Sequence, residues 1–308
     1  MFRKLLVICS SLAFAVSIAA AGDNPPTPAK LSAAEIVDKN VAARGGLEAW
    51  RAVQTMSLAG KLGAGGNQRA TLRVPTTGPS TVATPGSASG RKGSQFGLPS
   101  RPVEEVQLPF LMELARPRKM RFELQFNGQT AIQVFDGANG WKLRPFLNRR
   151  VVEPYTADEM KMSSMQADLD GPLVDYAAKG TKAELAGMEK VENRDTYKLK
   201  LTMKNGVAIH VWVDAETFLE AKIEGQPRRL DGTDHPVEVY FRDYRPVNGL
   251  QIPFILETRV LPVAQTAMGL KDPPVPAERT IIEKVVVNPK LDESHFSKPQ
   301  IGVSSNAN

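Results

Sequence analysis

Residues 119–126, KMRFELQF, alternate without a break: Met120, Phe122, Leu124 and Phe126 point one way, Arg121, Glu123 and Gln125 the other. A period of two held over this length is a β-strand with one apolar and one wetted face. Asn127-Gly128 follows, the dipeptide best suited to a tight hairpin, and a second apolar run covers residues 130–135. Asp136-Gly137 then turns the chain into residues 140–143. What covers the apolar face of these hairpins decides the fold.

Working outward, strand patterns precede this stretch at about 103–114. They resume near Ala183 and return at 197–203, 207–213, 218–223, 237–244, 252–260 and 280–287. About eleven strands joined by short turns make an antiparallel meander. Helical signals are few. Ser32 with Glu35 forms a capping box before Ile36, Val37 and Val41, and that helix stops at Gly45-Gly46, with a short helix expected at 47–53. Thr156 with Glu159 forms a second box ahead of "ADEMKMSSMQADLDGP", where Met162, Met165 and Leu169 would share a face, and a further helical piece is expected at 173–178. Two or three short helices cannot cover so many strands. The expected class is therefore mainly β with α, a curled antiparallel half-barrel whose apolar cavity is closed by a helical lid or plug.

Residues 1–21 read as a cleaved secretory signal: Arg3 and Lys4 precede an apolar run from Leu5 to Ala20, and Ala19-Ala20-Ala21 offers the small residues of a cleavage site. The rest, 22–308, is expected to be one domain, with a flexible Gly/Ser/Thr/Pro insertion at about 60–102 that has too few large apolar residues to order a backbone. The only cysteine, Cys9, lies in the signal, so the mature chain would hold no disulfide. Of 39 basic residues, removing Arg3 and Lys4 leaves 37 against 33 acidic ones, a mild excess. No basic run with interleaved aromatics points to nucleic acid.

The sequence shows no recognisable catalytic motif, and a lipid hydrolase, the third class of reading, would lack a nucleophile with a visible partner. His210, His235 and His295 are the only histidines and lack metal-ligand spacing, and there is neither a G-x-S-x-G elbow nor a phosphate-binding glycine loop. Asp168 and Asp170, two apart on an expected helix, would diverge and solvate its end. The reading is of a binding protein without enzymatic activity, metal or other cofactor. Met160, Met162 and Met165 cluster on the expected lid, while Met120 and Met203 lie on apolar strand faces; thioether side chains adapt to irregular apolar shapes.

Three features resemble the LolA/LolB-like superfamily of periplasmic lipoprotein carriers, in its outer membrane lipoprotein-sorting protein branch. Arg116-Pro117 leads into the alternating strand, "DGANGW" at 136–141 is followed by Pro145, and "HFSKPQIGV" begins at His295. The resemblance implies a periplasmic protein that shields the acyl chains of lipoproteins or lipids during transfer towards the outer membrane, with an inner- or outer-membrane transport partner. An alternative on the same fold is a lipid-sensing envelope-stress module. Arg116 falls where the carriers hold their lid. The cavity lining would include Met120, Phe122, Leu124 and Phe126, then Ile132, Val134 and Trp141, with Met162 and Met165 from the lid and Leu199 and Leu201 from the second half of the sheet. If the insertion is a linker, excising residues 63–100 leaves the thermal melt in place; a large fall in melting temperature would show it to be structured surface.

Overall fold

The computed structural model describes residues 31–64, 105–145, 149–230, 232–265, 269, 272 and 275–300. The expected signal and nearly all of the expected insertion lie outside these residues.

The first capping box forms as read: the Glu35 amide donates to Ser32 Oγ, and the Ser32 amide donates to the Glu35 carboxylate at 2.8 Å, opening α1 (Ala33–Ala43). A second helix, α2 (Leu47–Arg51), follows after Gly45 and Gly46. Gly45 has a φ of 116°, and a Cβ there would come within 2.4 Å of the Gly249 carbonyl oxygen, so the exit of α1 needs glycine on both counts.

Strands then run in order. The first half comprises β1 (Thr55–Ala64), β2 (Val106–Ala115), β3 (Lys119–Phe126), β4 (Gln129–Phe135), β5 (Gly140–Arg144) and β6 (Arg149–Pro154). After α3 (Ala157–Gln166) come β7 (Lys182–Val191), β8 (Arg194–Thr202), β9 (Ala208–Asp214) and β10 (Glu220–Glu224). A two-stranded hairpin, β11 (Arg228–Leu230) and β12 (Thr233–His235), precedes β13 (Val237–Val247), β14 (Leu250–Val260) and β15 (Glu278–Val287). Thirteen of these form one antiparallel sheet, in the order β6-β5-β4-β3-β2-β1-β15-β14-β13-β10-β9-β8-β7. The sheet is curled but open, since β6 and β7 are its two ends.

The sheet thus holds more strands than the expected eleven. β6 was not expected because Arg149-Arg150-Val151-Val152 does not alternate, and Val151 is 62% exposed on an edge strand. β1 runs on to Ala64, with Gly63 opposite Gln107, so any excision has to begin after Ala64. The helical piece expected at 173–178 is a run of turns in which Asp175 has a φ of 51°. Leu173 and Val174 at its start are fully buried, while Ala177 and Ala178 are exposed.

Directly opposed residues in an antiparallel pair share a face. Phe122 stands opposite Met112 and Gln133, and Met120 opposite Leu114 and Phe135. Followed through the register, the same inner face carries Met56 and Leu58 of β1, Leu256 of β14, Val239 of β13, Ile223 of β10, Val211 of β9 and Leu199 of β8. One apolar surface therefore runs through both halves of the sheet. Helix α3 lies on it, because Lys142, which shares this face through Gln133, meets Glu159 of α3 at 2.6 Å.

The outer face is held differently. Over β2 and β3, the C-terminal segment packs onto it: Arg121 donates to the His295 carbonyl at 3.2 Å, His295 meets Glu113 at 3.0 Å, and Phe296 is buried. Towards the other end, the Lys222 ammonium sits 4.1 Å from the Trp212 ring centre and the Arg259 guanidinium 4.0 Å from that of Tyr240. Burial and the bond that Tyr240 donates to Glu238 push the tyrosine up to about 12.

Leu199→Ala, which empties a fully buried position of the inner face, should cost about 2–5 kcal/mol in chemical denaturation. Val151→Ala on the exposed edge should cost less than about 0.5 kcal/mol. Equal effects would place the core elsewhere.

Candidate functional site

Between the inner face at β8–β10 and α3 lies a cavity of about 400 Å³. Its floor is Ile209 and Ile223 with Met203, just past the end of β8, and Met165 hangs over it from α3. Arg118, in the β2–β3 turn, and Asn205, in the β8–β9 turn, line the same space. These turns belong to strands far apart in the sheet order, so the curl of the sheet brings them to one site. The volume is within the ~300–1,000 Å³ of small-molecule sites, and an apolar floor with a few polar groups is their usual make-up.

The roof is fastened by charge. Thr156 caps α3, and Glu159 answers from the third position of the helix while also receiving Lys142; burial tends to raise Glu159, but Lys142 and the Thr156 amide hold its carboxyl below the usual range. The only buried residue of α3 is Ser163, and Met162 is 39% exposed. Helix α3 therefore carries no broad apolar face. It ends at Gln166, which leaves Leu169 beyond the helix rather than in line with Met162 and Met165.

The segment after α3 holds the main fastening. Asp170, with its side chain 1% exposed, accepts from Arg116 Nη2 at 2.6 Å and from Lys179 Nζ at 2.5 Å. Arg116 also donates to the carbonyls of Val53 at 2.7 Å and Trp50 at 3.0 Å, tying the end of β2 and the α2 region to this point. Arg44, at the end of α1, donates through Nη1 to the Asp170 carbonyl at 3.0 Å and to Glu220 at 3.1 Å. Lys179 further bridges Asp168 at 2.8 Å. Burial acts to raise Asp170, but the bonds from Lys179 and Arg116 win and hold it below the usual range. Burial keeps Asp168 raised despite Lys179, and the neighbouring Asp170 adds to the rise. The two aspartates do not solvate a helix end as expected; they close a buried ionic cluster.

The eleven residues expected to line a cavity are divided by the register. Met120, Phe122, Leu124 and Phe126 share the inner face with Leu199 and Leu201. Of these, Met120, Leu199 and Leu201 are buried, and Phe122 stacks on Phe110 at 5.9 Å. Ile132 and Val134 stand opposite Glu123 and Arg121, and Trp141 opposite Val134, so these three lie on the outer face. Met165 lines the 400 Å³ cavity, whereas Met162 turns outward. Ile209, Ile223 and Met203 of the floor were in expected strands, and inner-face parity would have found them. Each histidine meets one carboxylate: His210 with Glu224 at 2.9 Å, His235 with Asp272 at 3.2 Å, and His295 with Glu113. Among the described residues, no group of three or more His, Cys, Asp or Glu is placed to hold a metal ion.

No family model matches the chain, and no curated protein matches it. Among the solved structures similar to it are the following three. A LolA superfamily protein from Nitrosomonas europaea has 12% identity and a TM-score of 0.48, covering 87% of this chain and 99% of that one. A putative outer membrane lipoprotein-sorting protein domain from Vibrio parahaemolyticus has 13% identity and a TM-score of 0.47, covering 86% and 96%. A DUF1329 family protein from Desulfovibrio piger has 13% identity and a TM-score of 0.46, covering 85% and 95%. The first two bear the names of the family that the sequence resembles.

The cluster sets a pH dependence. A carboxyl depressed in the fold contributes stability that is complete above its unfolded value and is lost as pH falls through the folded one. For Asp170 that loss lies below about 3.8, its unperturbed value. Asp168, being raised, works in the opposite sense and sheds its own penalty as it protonates. Hydrogen-exchange protection across residues 157–180, taken relative to the intrinsic exchange rate at each pH, should therefore fall below that pH in the wild type. In Asp170→Asn it should already be low at neutral pH. Exchange indifferent to both would show that the cluster does not hold the roof.

Proposed function

We propose that this chain is a non-enzymatic carrier that shields an acyl chain of a lipid or lipoprotein in the cavity beneath α3 during transit through the periplasm. The observation that carries the reading is a cavity with an apolar floor whose roof is fastened by buried ionic contacts rather than by apolar packing. At ~0.8 kcal/mol per buried methylene, a long acyl chain is worth on the order of 10 kcal/mol before ordering costs. An intact buried ion pair contributes little net stability, because the cost of desolvating both charges offsets their attraction, and that cost is recovered when both return to water. Ligand binding can thus drive the roof open, and the pairs can close it again after release. A roof glued by leucines would carry no such reversible fastening.

The leading segment supports export to the periplasm: Arg3 and Lys4, an apolar run and a small-residue site read as a secretory signal. A carrier there loads at one membrane and unloads at another, so a membrane transport partner belongs to the reading.

The test substitutes the floor. Met203→Asp puts a carboxylate where water reaches it in the empty cavity, so the penalty falls on binding rather than on folding. It should weaken displacement of a neutral fluorescent acyl probe at least tenfold, roughly the effect of 1.4 kcal/mol, with far-UV circular dichroism unchanged. Met188→Asp, on the exposed edge strand β7, is the control and should bind as the wild type does. Unaltered binding in Met203→Asp would remove this cavity as the acyl site.

A further inference from the structure

Charge at the cavity mouth is lopsided. Four cationic residues line it: Arg118, Lys161, Lys179 and Lys204. The carboxylate among the lining residues, Asp168, is taken by Lys179, whose ammonium also reaches Asp170 and the Gly171 carbonyl at 2.7 Å. Arg118, Lys161 and Lys204 make no ion pair with any described residue. Most cations along the sheet are spent on a neighbouring acid: Arg121 on Glu123, Lys142 on Glu159, Lys198 on Glu189, Lys222 on Glu238 and Arg242 on Glu192.

The three remaining cations come from separate elements. Arg118 stands in the β2–β3 turn, Lys161 on α3 and Lys204 in the β8–β9 turn. Chain neighbours on one solvated face would not need a folded cavity to bring them together; these do. Below them the lining changes to Met165, Met203, Ile209 and Ile223. Positive charge above an apolar floor matches a molecule with an anionic head and an apolar tail. At roughly the 30 Å³ that a small group such as water occupies, about 400 Å³ has room for on the order of a dozen heavy atoms. That is one acyl chain, not a bundle of them.

We infer that the cavity selects an amphiphile with one chain in the pocket and an anionic head at the mouth, where Lys161, Lys204 and Arg118 hold it. The inference deepens the carrier reading and rests on it. A phosphate-bearing lipid head and a fatty carboxylate share the chemistry these cations recognise, and the experiment separates them.

The protein is loaded with a neutral fluorescent acyl probe, which is then displaced by amphiphiles of one chain length. These are lysophosphatidylglycerol, a fatty acid and zwitterionic lysophosphatidylcholine. In the wild type, at least one anionic competitor should act about tenfold more tightly than the zwitterionic one, the effect of two or three partly solvated charges. Added salt should shrink the difference. A preference for only one anionic head supports the proposal and names the head. The double variant Lys161→Gln/Lys204→Gln should bring the affinities within about threefold of each other. Lys284→Gln, an exposed strand lysine away from the cavity, should keep the wild-type ratio. Equal displacement by all three competitors, or a preference that survives in the double variant, overturns the proposal and leaves the carrier reading standing. If the neutral probe does not bind at all, both fall.

Discussion

The buried carboxylate of Asp170 is the constraint on which the rest of the molecule is arranged. Desolvating a carboxylate is expensive, and the cost is offset only by complete hydrogen bonding. Here Lys179 comes from the turns beyond α3 and Arg116 from the end of β2, while Arg44 reaches the Asp170 carbonyl from the end of α1. Through Arg116 the same point is tied to the carbonyls of Trp50 and Val53. Helices, roof and first sheet half are fixed to one another at a single place.

That fastening explains how an open sheet of thirteen strands can present so long an apolar face. The inner face runs without interruption from β3 to β8, yet the helices over it are short, and α3 buries only Ser163. Apolar packing closes the face where Met120, Leu199 and Leu201 are buried. Beside α3 the closure is ionic, and a cavity remains. Ionic closure has a geometric optimum and little tolerance for displacement, so the roof has a defined shut state. The outer face needs no such device, because the C-terminal segment and the cation and aromatic contacts around Trp212 and Tyr240 cover it.

Much of this was legible in the residues. The unbroken alternation of 119–126 is β3, and both capping boxes form at Ser32 and Thr156. Face assignment was harder. Residues 129–135 carry apolar side chains on both faces, so alternation alone cannot say that Ile132 and Val134 leave the face of Phe122. Only the pairing Phe126 with Gln129 across Asn127-Gly128 decides it. The cover that Arg121 and Glu113 meet on the outer face comes from a segment more than a hundred residues away. The Asp170 cluster was unreadable for the same reason: its partners at 44, 116 and 179 belong to three elements, and an aspartate near a helix end usually faces water.

The central claim is that the space under α3 is filled by an acyl ligand in the working protein. Native mass spectrometry of the chain purified from its own envelope, and again after incubation with excess amphiphile, tests it directly. The account predicts one adduct of acyl-lipid mass per chain, absent in Met203→Asp. Protein that stays free of adduct under both conditions, or an adduct equally abundant in Met203→Asp, would contradict it.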